Sequence, residues 1–279
     1  MLLWLVDGSA CNDIRPVGSL ESRYYSGPAH PSRSPFPIPK ALHMPPQHPA
    51  LGPYYDRREM NLGIVLAGLA GAMGAAAWLH TSGWYVTFMT GNTERMILEH
   101  FKGNHVLGLG ALATVLAFLV GVMVATLARI HWWKKSRHGA TLVTMAAAYV
   151  AWLVDVLTND SDAPLGVVPI LSLAFGLGAL NTSISRQNQV AMPLSYVTGT
   201  LVKMGQGFAL HLSGVRRWVW VAQVVTYAGF LAGIVLGGTV FHSIGTHNSL
   251  AALALMSTVI AVITWKLDHP RFADKDAGE

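Results

Sequence analysis

The sequence predicts an all-α polytopic membrane protein, with six transmembrane helices and two short polar helices in two inverted three-span repeats. Three observations lead to this fold class. Of the 279 residues, 52% are hydrophobic and only 12% are charged, against about 25% charged in a typical soluble domain. The polar residues cluster between long apolar runs, and one polar motif occurs twice. The lipid bilayer is therefore the first partner that we expect for this chain.

The first 59 residues differ in composition from the rest. They hold ten of the fourteen prolines and show no periodic apolar pattern, which predicts a disordered tail. An alternative hypothesis is that translation starts at Met44 or Met60. N-terminal sequencing of the natively expressed protein distinguishes the two, because residues before Met44 would contradict the later start. The transmembrane domain is expected over residues 60–279.

Six apolar segments are long enough to cross a bilayer, which takes about 17–25 residues. They run over about Leu62–Leu79, Val106–Ala128, Ala140–Leu157, Gly166–Ile184, Trp218–Phe241 and Leu250–Trp265. Two further segments, Tyr85–Phe101 and Ser195–Leu212, look helical but are polar and short. We expect them to be re-entrant or interfacial helices.

The charges of the loops predict the orientation. If the two polar segments do not cross and the N-terminus is cytoplasmic, the basic loops all face the cytoplasm, and Asp155, Asp160 and Asp162 face outward. This is the positive-inside distribution. If both polar segments crossed, the basic loops would lie on opposite sides. Six spans in the cell membrane with both termini cytoplasmic are therefore predicted, and the net charge of +5 needs no nucleic-acid partner.

The two halves of the transmembrane domain align at a constant offset of 108 residues. Phe88–Asn92 falls on Tyr196–Thr200, Gly68 falls on Gly176, and the second and third spans fall on the fifth and sixth. This predicts one repeat over about 61–160 and another over about 165–266. Three crossings per repeat make the two inverted, as in transporters whose polar broken helices meet near the midplane.

The motif residues are candidates for binding a small solute in a transporter or channel. They are Thr90, Gly91, Asn92, Glu94, Asn181, Thr198, Gly199 and Thr200. A carboxylate at membrane depth is costly, so Glu94 is the first candidate for proton coupling, although it would also suit a surface position. In the alternative interpretation these residues only pack helices, in a scaffold or partner-binding protein.

A second pattern of small residues lies in the fifth span, where Gly229, Gly233 and Gly237 recur at every fourth position. This spacing predicts a close-packing face, used either within the chain or in a homo-oligomer.

Enzyme chemistry is not indicated. The sequence has no H-E-x-x-H, G-x-S-x-G or P-loop motif, and Cys11 is the single cysteine. We therefore expect neither catalytic residues nor a metal site nor a cofactor.

Three stretches resemble a known family. They are "FMTGN" at Phe88–Asn92, the Asn181 of "GLGALNTSISRQ", and "YVTGT" at Tyr196–Thr200. In this order and spacing they are similar to the YoaK-like family of bacterial membrane proteins (domain of unknown function 1275), over about residues 60–265. The resemblance implies an integral membrane protein with about six spans, and it implies no activity.

Overall fold

The computed structural model describes residues 57–81, 84–133, 138–158, 164–186, 189–190, 194–213 and 220–267. The chain divides into two units, 1–50 and 51–279, and the described residues all lie in the second. The predicted disordered tail lies outside them, apart from the first turn of α1. Eight helices form the described part: α1 Arg57–Leu79, α2 Met89–Phe101, α3 His105–His131, α4 His138–Thr158, α5 Val167–Leu180, α6 Val197–Leu212, α7 Val221–Ile244 and α8 Thr246–Leu267. Two short strands, β1 Ser185–Arg186 and β2 Gln189–Val190, pair antiparallel.

Five of these helices are long and apolar enough to span a membrane, namely α1, α3, α4, α7 and α8. They coincide with five of the six predicted spans. The fourth predicted span, Gly166–Ile184, is shorter than expected: α5 has 14 residues, or about 21 Å of helix, against about 30 Å of hydrocarbon. The helix ends at Leu180 because Asn181 turns the chain, and its side-chain Oδ1 accepts a hydrogen bond from the backbone N of Ser195 at 3.0 Å.

The two polar segments are helices, as predicted, and each begins later than its polar segment does. Residues 85–88 and 195–196 precede α2 and α6 as non-helical chain. Both helices follow a turn back toward the helix before them, so their first residues lie inside the bundle.

Two helix pairs fix the directions of the bundle. Thr141 and Thr264 are 2.7 Å apart at one end of α4 and α8, and Asp155 and His247 are 2.5 Å apart at the other end, so these helices run antiparallel. In contrast, α1 and α7 run parallel, since their contacts advance together by four residues. The contact pairs are Ile64 with Gly229, Gly68 with Gly233, and Ala72 with Gly237.

The packing partners form a regular set. Helix α1 packs against α7, α8 and α5, and helix α5 packs against α3, α4 and α1. The remaining extensive pairs among the described helices are α2 with α3, α6 with α7, α3 with α4, α7 with α8, and α4 with α8. Exchanging α1–α4 for α5–α8 in order leaves this set of pairs unchanged.

The outer faces of the long helices are apolar. Leu116 and Leu127 on α3 and Val235 and Leu236 on α7 are exposed, within a larger set of exposed aliphatic side chains. Such a continuous apolar surface is unfavourable in water and suits contact with lipid chains.

Candidate functional site

The turn that begins α2 is built from the first motif. Phe88 precedes the helix with φ −109° and ψ 68°, and its ring covers Gly91, where a Cβ atom would overlap the ring. The buried Asn92 donates its backbone N–H to the Phe88 carbonyl at 3.0 Å and its side-chain amide to the Tyr85 carbonyl at 2.6 Å. Asn92 therefore holds the residues before the helix in place.

The turn that begins α6 repeats this geometry. Tyr196 precedes the helix with φ −84° and ψ 65°, and its ring covers Gly199 in the same way. Thr200 donates both its backbone N–H and its hydroxyl to the Tyr196 carbonyl, each at 3.0 Å. Glycine is needed at both positions because a side chain there would displace the aromatic ring.

Asn181 joins the second turn to α5. Its side-chain amide donates to Ser195 Oγ at 2.9 Å and to the Leu177 carbonyl at 2.8 Å, while its Oδ1 accepts from the Ser195 backbone. The equivalent position in the first turn is Thr87, which packs against Gly74 of α1.

A cavity of about 620 Å³ lies where the two turns face each other. Phe118, Val122, Phe230 and Ile234 form part of its wall, and they come from the middle of α3 and α7. The cavity is therefore at mid-height of the two long helices. Its other lining residues belong to the motif segments and the end of α5: Tyr85, Thr87, Phe88, Met89, Thr90, Asn181, Thr182, Ser195, Tyr196, Val197 and Thr198.

Of the predicted site residues, Thr90, Asn181 and Thr198 line this cavity. Gly91 and Gly199 lie beneath the aromatic rings. Asn92 and Thr200 hold the backbone of their turns.

Glu94, the remaining predicted site residue, is exposed on α2 and is not part of the cavity wall. It lies one turn beyond Thr90, and only the first turn of α2 reaches the cavity.

Several wall residues were not among the predicted ones, most clearly Thr87, Ser195 and the two covering rings of Phe88 and Tyr196. The constant offset contains a signal for them. Thr87 and Ser195 are equivalent positions, as are Phe88 and Tyr196, and each pair keeps its hydroxyl or aromatic character.

The chemistry of the wall is that of hydroxyl groups, one amide and aromatic rings. No Asp, Glu, Lys, Arg or His side chain is among the described residues that line it. Thr182 is held by Arg129, whose guanidinium donates to the Thr182 carbonyl. The wall can thus offer hydrogen bonds and ring faces to a solute, but no full charge.

A smaller cavity of about 330 Å³ extends from this site toward the end of α1. It shares Tyr85, Thr87, Phe230 and Ile234 with the main cavity and reaches Leu79. Trp78 stacks on Tyr85 with ring centroids 4.7 Å apart. Together the two cavities form a continuous cleft from the mid-height site to one end of α1.

The three glycines of the fifth predicted span lie in α7 against α1 of the same chain. A Cβ atom on Gly233 would overlap the carbonyl oxygen of Gly68, and one on Gly237 would lie 3.0 Å from Ala72 Cα. The two backbones can be this close only because both helices carry glycine at the crossing.

The turn between α2 and α3 is polar and exposed. Glu99 accepts hydrogen bonds from Asn104 at 3.0 Å and from Lys102 at 3.2 Å, and these two bonds hold the pKa of Glu99 below its usual value. In the described part of the chain, no three His, Cys, Asp or Glu side chains come together as a metal site would require.

Comparison with known proteins agrees with this architecture. Residues 62–263 match the family described as "Protein of unknown function (DUF1275)". The chain is 29% identical over 221 residues to the UPF0700 transmembrane protein RA0705 of Rhizobium meliloti (strain 1021), covering 74% of this chain and 90% of that protein. No solved structure matches the chain. The family resemblance read from the motifs is confirmed: the chain is a multi-pass membrane protein that belongs to the DUF1275 family.

Proposed function

We propose that this protein moves a small uncharged solute across the membrane through the cavity between α2 and α6. The observation that carries the proposal is the position of the cavity. It lies at mid-height of α3 and α7, between the N-terminal turns of two helices too short to span. Transporters with inverted repeats place their solute sites in this way.

The proposal includes six spans, with α5 as the fourth. The start of α5 lies beside the end of α1, because the Leu165 backbone N donates to the His80 carbonyl at 2.6 Å. Its end lies beside the end of α3, because Arg129 bonds the carbonyl of Thr182. The short α5 and the residues after it thus extend from one end of the bundle to the other, which supports a sixth crossing.

The proposal also includes two inverted repeats. The unchanged set of helix pairs under exchange of the two halves supports them. So do the matching backbone angles of Phe88 and Tyr196, which are 108 residues apart. The positive-inside distribution then puts both termini in the cytoplasm and the protein in the cell membrane.

The nature of the solute follows from the wall. A buried charge needs a partner charge or several hydrogen bonds, and the described wall has hydroxyls, an amide and aromatic rings. A neutral solute with a few polar groups and one flat face suits it best. Proton coupling by Glu94 stays a separate prediction, because that side chain is exposed away from the wall.

The inverted arrangement is tested by cysteine labelling in the full chain with Cys11→Ser. Single cysteines at Thr93 and Leu201, both exposed on their helices, are probed from each side with a membrane-impermeant maleimide. We expect Thr93→Cys to label only from outside and Leu201→Cys only from inside. Labelling of both from one side would contradict the inverted repeats and favour the scaffold alternative.

The transport function is tested in proteoliposomes given a defined mixture of neutral and charged metabolites, with uptake measured by mass spectrometry. Thr90→Val and Thr198→Val remove a cavity hydroxyl at nearly constant volume. Thr93→Val is the matched control, because its hydroxyl donates to the Met89 carbonyl outside the cavity. We expect uptake of a neutral solute by the parent and by the control, and reduced uptake by the two cavity variants. Equal uptake by all four proteins, or none above empty liposomes, would contradict the proposal.

A further inference from the structure

A second group of ionisable side chains lies outside the cavity, where α1, α4 and α7 end and α8 begins. Asp155 of α4 is fully buried, with 0% of its side chain exposed, and its Oδ2 is 2.5 Å from Nδ1 of His247, which is 20% exposed. Asp155 was expected in the outer charge distribution, and it lies within α4 instead. A buried carboxylate in a membrane protein is expensive and commonly marks a functional site.

The Asp155–His247 pair is suited to holding one proton. With one proton the pair is neutral overall or a close ion pair, and both forms are compatible with burial. A second proton removes the carboxylate charge and leaves a lone imidazolium beside it, so the attraction that joins α4 to α8 is lost. Because His247 is partly exposed, a proton can reach the pair from water.

His80 is the neighbour of this pair. Its Nε2 is 2.9 Å from Ser249 Oγ, and its Nδ1 is 3.2 Å from Thr246 Oγ1. Ser249 donates its hydroxyl hydrogen to the Gly245 carbonyl at 2.6 Å, so Nε2–H donates to Ser249 and Nδ1 accepts from Thr246. This assignment makes His80 a neutral imidazole with both nitrogens bonded.

Burial lowers the pKa of His80, the charge of Asp155 opposes this, and His242 of α7 adds to the lowering. These four residues are the ionisable groups that the described parts of α1, α4, α7 and α8 bring together here. The described start of α5, residues 164–166, contributes no ionisable side chain.

The cluster is connected to the cavity through the segment after α1. The His80 carbonyl accepts from Leu165, and the next residue, Thr81, bonds Ala77 at 2.6 Å and the Trp84 backbone at 3.0 Å. The residue after Trp84 is Tyr85, which belongs to the walls of both cavities. A change in how α4 and α8 hold His80 is thereby transmitted to the turn that begins α2.

We propose that Asp155 and His247 form a proton-binding site, and that binding of the second proton opens the cleft to water at the end of α1. This inference rests on the proposed function of the cavity. The coupled ligand is a proton, and the residue that carries it at depth is Asp155 rather than Glu94.

The test uses the full chain with Cys11→Ser in liposomes and a single cysteine at Thr198 in the cavity wall. The rate of maleimide labelling is measured between about pH 8 and about pH 5. Each rate is divided by that of Lys102→Cys, an exposed site, so that the ordinary pH dependence of thiol reactivity cancels. The same series is measured with Asp155→Asn, with His247→Gln and, as matched control, with Glu99→Gln.

We expect the relative rate in the parent to rise as the pH falls, by up to about tenfold per pH unit, the limit for one linked proton. Glu99→Gln keeps this slope, and Asp155→Asn and His247→Gln lose it. If Asp155→Asn does not fold, His247→Gln decides the result. Infrared spectra add a direct measure: a carboxylic acid band that appears on acidification and is absent in Asp155→Asn.

The two possible failures are distinguishable. If Thr198→Cys never labels at any pH, the water-accessible cavity is contradicted, and with it the proposed function. If it labels at a relative rate that does not depend on pH, or if Asp155→Asn keeps the slope of the parent, the proton site is wrong and the cavity remains.

Discussion

The turns that begin α2 and α6 have nearly the same backbone angles and the same ring over the same glycine, yet they are attached to the bundle differently. The first is held from within by Asn92 and presses Thr87 against Gly74 of α1. The second is held from outside itself by Asn181 of α5. In addition, α2 packs on α3 more extensively than α6 packs on α7.

This difference separates what the motif requires from what each half adds. The aromatic residue, the glycine three positions later and the buried start of the helix occur in both halves, so they belong to the motif. The anchor is specific to each half. Because α6 has the weaker packing, we expect it to be the more movable of the two polar helices.

The largest effects are expected at the two helix crossings, one for each half. A Cβ atom on Gly233 would overlap the Gly68 carbonyl, and one on Gly121 would overlap the carbonyl of Phe175. Backbone atoms cannot turn aside, so Gly233→Ala and Gly121→Ala should each lower the free energy of unfolding by about 3 kcal/mol. Denaturant unfolding of the purified protein measures this. Gly238→Ala is the control, since nothing lies within 4 Å of its added Cβ, and equal stability of Gly233→Ala and Gly238→Ala would contradict the described crossing.

The anchors come next and should differ between the halves. Asn181→Ala leaves the Ser195 backbone N–H and hydroxyl without their partner and should cost about 2 kcal/mol of unfolding free energy. Asn92→Ala removes one donor from the Tyr85 carbonyl and should cost about 1 kcal/mol. Hydrogen exchange should increase at residues 195–198 in the first variant and at 85–90 in the second. The reverse order of the two losses would show that the anchors are assigned wrongly.

The motif glycines should give equal and smaller effects. In Gly91→Ala and Gly199→Ala the new methyl group meets the rings of Phe88 and Tyr196, which can turn away into the cavity. Each substitution should cost about 1 kcal/mol of unfolding free energy, and the cost should disappear when Phe88→Ala or Tyr196→Ala accompanies it. Gly205→Ala in α6 has open space around it and should be neutral or stabilising. Unequal effects of the two motif substitutions would break the equivalence of the turns.

The smallest effect is expected from His80, which only the first half possesses. Burial holds the pKa of folded His80 below its ordinary value of 6.5, so below that pH the unfolded chain binds more protons at this residue than the folded chain does. Its contribution to stability is therefore fully present above pH 6.5 and is lost as the pH falls. Thermal unfolding at several pH values should show a smaller acid-induced loss in His80→Asn than in the parent. His131→Asn, exposed at the end of α3, should behave as the parent does, and an identical acid response of all three proteins would contradict this role of His80.

Much of the fold could be predicted from the sequence because membrane spans depend on the local run of apolar residues. The limits of α1, α3, α4, α7 and α8 follow from such runs. The end of α5 does not, because it depends on Asn181 finding Ser195, fourteen residues later, and no local pattern contains that contact.

The candidate site was predictable only in part for the same reason. Thr90, Asn181 and Thr198 were found because polar groups in apolar segments are conspicuous. Helical spacing placed Glu94 on the same face as Thr90, but it could not show that the cavity reaches only the first turn of α2. Asp155 and His247 are 92 residues apart, and only the packing of α4 on α8 joins them.

The parallel contact of α1 with α7 has a consequence for biosynthesis. α1 is the first of the described helices to be made, but the glycine face of its partner begins only at Gly229, after most of the chain has left the ribosome. Until then Gly68 and Gly71 have only lipid, or the insertion machinery, against them. The first half is thus not a finished unit that waits for the second, and a chain cut short before α7 should be recognised as incomplete and degraded.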